Sequence, residues 1–299
     1  VKKAGSAPIA ALVAMVLIWG YSWVVMKIAL RHAHPFDFAA LRVGIGCALL
    51  FAIVKFQGRA LRLPNQRMAL LLGCLQVALF VALSHYALLR AGPGKTSVLV
   101  FTMPFWMIVF AHFILHERMR GAQWVAVALG FVGLLLIVEP WKLSNVTGSV
   151  LAVSAGAVWA ISAVLSKKYP SAADPLLFTA WQLLYGFVAL ALLAWIHPHG
   201  PISWTAEFVW ALLFSAGLAT AIGWWLWTYV LAHSSAGMTG LNSLGIPVVA
   251  VIGSAIQLGE RPQPTELAGM ALIALALAVL AWLGMRRPDV QAAAANPVD

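Results

Sequence analysis

The sequence predicts an all-α integral membrane protein of ten transmembrane helices, arranged as two inverted five-helix repeats. Three observations predict it. The chain is 63% hydrophobic and only 9% charged, against roughly 25% charged in a soluble domain, so lipid must cover most of its surface. Apolar runs of bilayer length recur between short gaps that hold charge, Pro and Gly. The second half of the chain also rewrites the first.

A bilayer core needs about 20 apolar residues per helix. Cutting at charge, Pro and Gly gives spans 9–31, 36–55, 68–89, 95–115, 122–138, 148–166, 175–196, 207–231, 237–257 and 265–285. The first follows Lys2 and Lys3. Its apolar run exceeds the roughly 7–15 residues of a secretory signal, and no A-x-A site precedes His32, so it reads as a retained helix. The second opens at Pro35-Phe36-Asp37 and the seventh at Asp174-Pro175, an acid at the N-cap before a proline at N1. The fourth and ninth each carry a mid-run proline, Pro104 and Pro247, and close on Glu117-Arg118 and Glu260-Arg261. The sixth stops at Lys167-Lys168 and the tenth at Arg286-Arg287. Strand-like alternation is absent, which argues against a barrel. Residues 286–299, RRPDVQAAAANPVD, are small and polar and are expected to be a disordered cytoplasmic tail.

Loop charge orients the spans. Ten spans put both termini on one side, with Lys2, Lys3, Lys55, Arg59, Arg62, Arg67, Arg118, Arg120, Lys167, Lys168, Arg286 and Arg287. The other side holds only Arg31, Arg90, Lys95, Lys142 and Arg261. The positive-inside rule then predicts cytoplasmic termini in a bacterial inner membrane. The net charge of +10 reflects these loops. No basic stripe with interleaved aromatics exists, so nucleic acid is not an expected partner.

A shift of 143 residues superposes Tyr86, Leu88, Gly94, Thr96, Pro104, Leu115, Glu117 and Arg118 on Tyr229, Leu231, Gly237, Thr239, Pro247, Leu258, Glu260 and Arg261. Earlier in each half a shift of 140 pairs Trp19, Ser22, Val24, Lys27 and Pro35 with Trp159, Ser162, Val164, Lys167 and Pro175. The units are 1–143 and 144–285. Five spans per unit is an odd number, so the second copy enters the membrane from the opposite face. Secondary transporters use this layout, because two inverted halves can exchange conformations and open a midplane site to either side.

The segments WGYSWVVMK and WAISAVLSK, the turns RAGPGKTSV and HSSAGMTGL, the mid-span MP and IP, and the closing HER and GER resemble the EamA-type modules of the drug/metabolite transporter superfamily. The resemblance runs from about residue 9 to 285. It implies export of amino acids, other metabolites or drugs. The Trp-rich spans resemble the aromatic amino-acid exporter (YddG-like) branch.

Candidate site residues follow from depth and chemistry. Pro/Gly-interrupted spans in corresponding places point to the site of a helical carrier, which makes Pro104 and Pro247 candidate hinges. Trp19 and Trp23 share a helix face at i, i+4, and Trp159 is the repeat mate of Trp19. With Phe101, Trp106 and Trp225 they form candidate aromatic walls for a bulky side chain. Tyr86, Tyr229, Ser162, Asn242 and Ser243 are candidate polar contacts. Lys27 and Arg42 are candidate partners for a substrate carboxylate, with snorkelling to the interface as the alternative. Glu117, Arg118, Glu260 and Arg261 are expected to act as turn or gate charges.

No Asp or Glu falls in the middle of a span, so obligatory proton coupling is not expected. HExxH, GxSxG and P-loop motifs are missing, which argues against an enzyme. Cys47 and Cys74 lie in apolar runs without CxxC spacing, so no metal or cofactor is expected. The expectation is a monomeric carrier in the lipid bilayer. It exports small organic solutes by alternating access, foremost amino acids with bulky or aromatic side chains. Other metabolites or drugs are the alternative cargo, and a channel-like pore is the alternative class.

Overall fold

The computed structural model describes residues 6–63, 65–116, 121–138, 146–169, 171, 174–197, 200–226 and 236–285. Those residues form helices and no strand. In order they are α1 (Ser6–Ala29), α2 (Pro35–Phe56), α3 (Arg67–Leu72), α4 (Phe80–Arg90), α5 (Pro93–Val100), α6 (Met103–Ile114) and α7 (Gly121–Val138). Then come α8 (Val146–Lys168), α9 (Pro175–Ile196), α10 (Ala206–Leu213), α11 (Ala236–Leu258) and α12 (Pro264–Met285). Two π-helical segments, Gly73–Leu79 and Phe214–Ile222, continue α3 and α10. Seven stretches are long and apolar enough to cross a membrane: Ala10–Ala29, Pro35–Phe56, Arg67–Arg90, Pro93–Ile114, Val146–Lys168, Pro175–Ile196 and Ala206–Leu226. Trp124–Val138, Gly245–Leu258 and Pro264–Val279 are shorter apolar helices.

Local chemistry sets the helix ends. Asp174 caps α9 by accepting from the Leu176 and Leu177 amides, with Pro175 at the first helical position. His34, the residue 140 positions earlier, caps α2 by accepting from the Phe36 amide. At the far end of α2 the Gly58 amide bonds Lys55 O and the Arg59 amide bonds Val54 O. Gly58 takes φ +69°, the left-handed turn such a C-cap requires.

The two mid-run prolines behave differently. α5 ends at Val100, Phe101 and Thr102 form a turn, and Pro104 stands in the first turn of α6, where a missing N–H costs nothing. Pro247, expected as the matching hinge, does not interrupt its helix: α11 runs through it from Ala236 to Leu258. Neighbouring packing holds that helix together. Ile246 is buried, and its carbonyl lies so close to Gly20 of α1 that a Cβ there would sit 2.9 Å away.

The principal contacts pair across the chain. α1 packs on α11, and α8 packs on α5 and α6. α8 packs on α4, and α1 on α10. Segment Gly73–Leu79 packs on α9, and Phe214–Ile222 on α2. α2 pairs with α9, and α7 with α12. Glycines permit the closest approaches. A Cβ on Gly133 would meet Gly269 O at 2.8 Å and one on Gly269 would meet Gly133 O at 2.6 Å, a small-residue crossing of the membrane type. The outer face is as apolar as the core: Phe56, Trp195 and Ile256 are 92%, 84% and 81% exposed. Lipid contact explains such exposure, whereas a soluble monomer rarely carries apolar patches on this scale.

Candidate functional site

A cavity of about 120 Å³ lies at the middle of the bundle. One ordered water needs only about 10–15 Å³, so the space is scaled for an organic solute. α1 supplies one face to it, with Met15, Trp19, Ser22, Trp23 and Met26, at the spacing of a single helical stripe. α2 adds Arg42 and Val43. The Gly73–Arg90 stretch adds Gln76, Val77, Phe80, Val81, Ser84 and His85. Val100, Phe101 and Met103 come from the α5–α6 break, Trp159 from α8 and Leu183 from α9. Ala219, Thr220 and Trp224 come from the second π-helical segment and its continuation, and Ile246 from α11. Neither α7 nor α12 contributes, so this pair acts as an outer brace.

Aromatic rings build one wall. Trp159 stacks on Trp224 with centroids 5.8 Å apart. Trp19 meets Trp224 edge-on at 6.0 Å, and Phe80 meets Trp159 edge-on at 4.7 Å. These offset and T-shaped geometries are the favourable ones for aromatic quadrupoles. The Trp19 indole N–H donates to Ala219 O at 2.9 Å. Gly223 makes room for that indole, since a Cβ there would fall 2.2 Å from Trp19 Nε1.

Arg42 supplies the charge. Its Nε donates to Thr220 Oγ1 at 3.1 Å, and Nη1 lies 2.8 Å from Met26 Sδ and 3.4 Å from His85 Nε2. A guanidinium only donates, so His85 accepts through Nε2 and carries its proton on Nδ1, which donates to Pro35 O at 3.3 Å. Among the described residues no carboxylate pairs with Arg42. The counterpart of Arg42, 140 positions on, is Gln182, whose Nε2 donates to Gln76 Oε1 at 3.4 Å.

The structure brings Trp19, Trp23, Phe101, Trp159 and Arg42 together on the cavity. It places the other described candidates elsewhere. Lys27 caps the end of α4, donating to Leu88 O and, at 3.3 Å, to Ala91 O. Tyr86 points its hydroxyl at His34 Nε2, 3.3 Å away, and packs edge-on against Phe36. Ser162 is buried and donates to Val158 O of its own helix. Trp106 packs edge-on against Phe131, and Trp225 is exposed. The Glu260 carboxylate lies against Gly92, within Coulombic reach of Lys27, and Arg261 is exposed. Tyr229, Glu117, Arg118 and the side chains of Asn242 and Ser243 lie outside the described residues.

Trp224, Phe80, Thr220 and Gln76 line the cavity without having been singled out. Trp224 and Trp225 both lie deep in the eighth span, and the structure separates them: Trp224 lines the cavity and Trp225 is exposed. Thr220 and Trp224 stand four residues apart, on one face of the helical turn, and both reach the cavity.

A largely apolar helical bundle around a central, solute-sized cavity suits a membrane protein that binds a small solute between its helices. Residues 6–139 and 146–282 each match the EamA-like transporter family, and the chain belongs to that family. The uncharacterized transporter YoaV of Bacillus subtilis is 31% identical over 269 residues, covering 88% of this chain and 92% of its own. A probable amino-acid metabolite efflux pump of Salmonella typhimurium is 26% identical over 277 residues, covering 87% of this chain and 89% of its own. A solved crystal structure aligns over 96% of this chain and 100% of its own with a TM-score of 0.68 at 19% identity, a likeness of fold.

Proposed function

We propose that the protein is a ten-span carrier that exports small organic solutes by alternating access, with bulky or aromatic amino acids and their metabolites as cargo. The observation that carries this is the cavity itself. Trp19, Trp159, Trp224 and Phe80 offer ring surfaces to a large apolar body, and Arg42 offers a cation to a carboxylate. The efflux-pump relative supports the same cargo class.

Alternating access by two inverted halves, 1–143 and 144–285, is supported by the pairing of contacts. Exchanging α1 with α8 turns the contact on α11 into the contact on α5 and α6, and exchanging α2 with α9 turns the contact on Phe214–Ile222 into the contact on Gly73–Leu79. The repeat places an irregular turn on the cavity wall in both halves, as expected where a broken helix lines a site. Cytoplasmic termini in a bacterial inner membrane, and transport without obligatory proton coupling, complete the reading.

The test is uptake of radiolabelled Trp, Phe and Met into proteoliposomes, with a panel of amino acids and drugs as competitors. Saturable uptake and counterflow are expected. If none of the three enters or competes, the amino-acid reading is lost. Non-saturating flux would instead indicate a pore.

A further inference from the structure

The reading above leaves open which carboxylates the cavity prefers. Charge balance and hydrogen-bond accounting decide it. Arg42 is the single charged side chain among the described residues that line the cavity. Its contacts are a hydroxyl, a thioether and an imidazole, and its Nη2 has no protein partner among the described residues. Arg42 is half-buried, and a cation with a donor left open to the cavity is stabilised by an anion that completes the pair.

An ammonium group has three donors and needs acceptors, best of all a carboxylate. The described residues that line the cavity include no carboxylate. The Ser22 and Ser84 hydroxyls already donate to Trp19 O at 2.6 Å and Phe80 O at 2.7 Å, which leaves only neutral lone pairs. Gln76 Oε1 accepts from Gln182, and Ala219 O accepts from Trp19. Trp159 and Trp224 turn ring faces towards each other, which reduces the face open to a cation–π contact. The half-to-half difference points the same way. Gln182, the counterpart of Arg42, is neutral and stands outside the lining, so among the described residues the lining carries one positive charge and no negative one.

We propose that the cavity binds aromatic or bulky apolar monocarboxylates that lack an ammonium group more tightly than the corresponding zwitterionic amino acids. This rests on the carboxylate-to-Arg42 contact of the proposed function. The monoanion neutralises the site, whereas the zwitterion loses hydration on an ammonium that gains no charged partner.

Three probes with one aryl body separate the possibilities: 3-phenylpropionate, phenylalanine and phenethylamine. They are titrated against purified full-length protein in nanodiscs by calorimetry, which avoids the leak of weak acids through liposomes. The expected order is 3-phenylpropionate at least about 10-fold tighter than phenylalanine, with phenethylamine weakest. Arg42→Gln should remove the advantage of 3-phenylpropionate, and Arg42→Lys should keep part of it. Both variants are checked for an unchanged elution profile and melting temperature, so that loss of fold is seen separately. Phenylalanine binding as tightly as 3-phenylpropionate, with both lost in Arg42→Gln, would overturn the preference and leave the proposed function standing. No binding by either carboxylate would overturn both.

Discussion

Two junctions in this molecule share one backbone approach and differ in charge. In the first, α2 meets the π-helical segment Phe214–Ile222 at Gly46, where a Cβ would fall 2.5 Å from Thr220 Cγ2. In the second, α9 meets Gly73–Leu79 at Gly186, where a Cβ would fall 2.4 Å from Val77 Cγ1. Gly46 and Gly186 are 140 residues apart, the repeat offset. Four residues before each glycine a polar side chain reaches the π-helical segment: Arg42 to Thr220 in one half, Gln182 to Gln76 in the other. Duplication therefore reproduces the backbone approach, while one substitution decides the charge. The lesson is that the repeat builds the container and its divergence gives the container a polarity.

The sharpest way to break this comparison is Arg42→Gln, which removes the charge that sets the junctions apart. A charge-assisted bond is worth about 1.5–3 kcal/mol, so affinity for a carboxylate ligand should fall roughly 10- to 100-fold by calorimetry. The double change Arg42→Gln with Gln182→Arg moves the charge to the other half. Partial recovery of binding is expected if the junctions are interchangeable, and none if only the first faces the ligand.

Next come the glycines. Gly46→Ala and Gly186→Ala should each destabilise by about 1–3 kcal/mol through overpacking, read as lower melting temperatures in detergent. Gly217→Ala, with nothing within 4 Å of its Cβ position, is the neutral control. Equal melting of all three would show that the close approach is not needed. Trp159→Ala removes a stacked ring and should weaken aromatic ligands by about 0.5–1.5 kcal/mol beyond the lost area, with a smaller effect on leucine in competition assays. The smallest effect is expected at Arg59–Asp174, which pair at 2.5 Å but stand 48% and 35% exposed. Asp174→Asn keeps the helix cap and should change stability by less than about 1 kcal/mol.

The fold was legible because its causes are local. Span ends follow from residues such as Asp174-Pro175 and Pro35, whose capping chemistry acts over a few positions. Half of the site was legible as well, through Trp19 and Trp23 on one stripe of α1 and through the mate Trp159. Lys27 and Arg42 looked equivalent in sequence, as basic residues inside spans. Their roles separated only in three dimensions, where Lys27 finds the carbonyls at the end of α4 and Arg42 finds the cavity. Pro104 and Pro247 looked like matched breaks, yet packing against α1 carries α11 through the second.

By itself the sequence determined the helical, lipid-facing character, the duplication and the presence of basic residues, Lys27 and Arg42, inside spans that hold no mid-span acid. These depend on composition and short-range order, which the chain states directly. Tertiary structure alone decided which faces meet. The π-helical segments Gly73–Leu79 and Phe214–Ile222 add a residue per turn and reset the register. They bring Gln76 and Val77 of one half and Ala219 and Thr220 of the other to the cavity, a long-range outcome that no local pattern encodes.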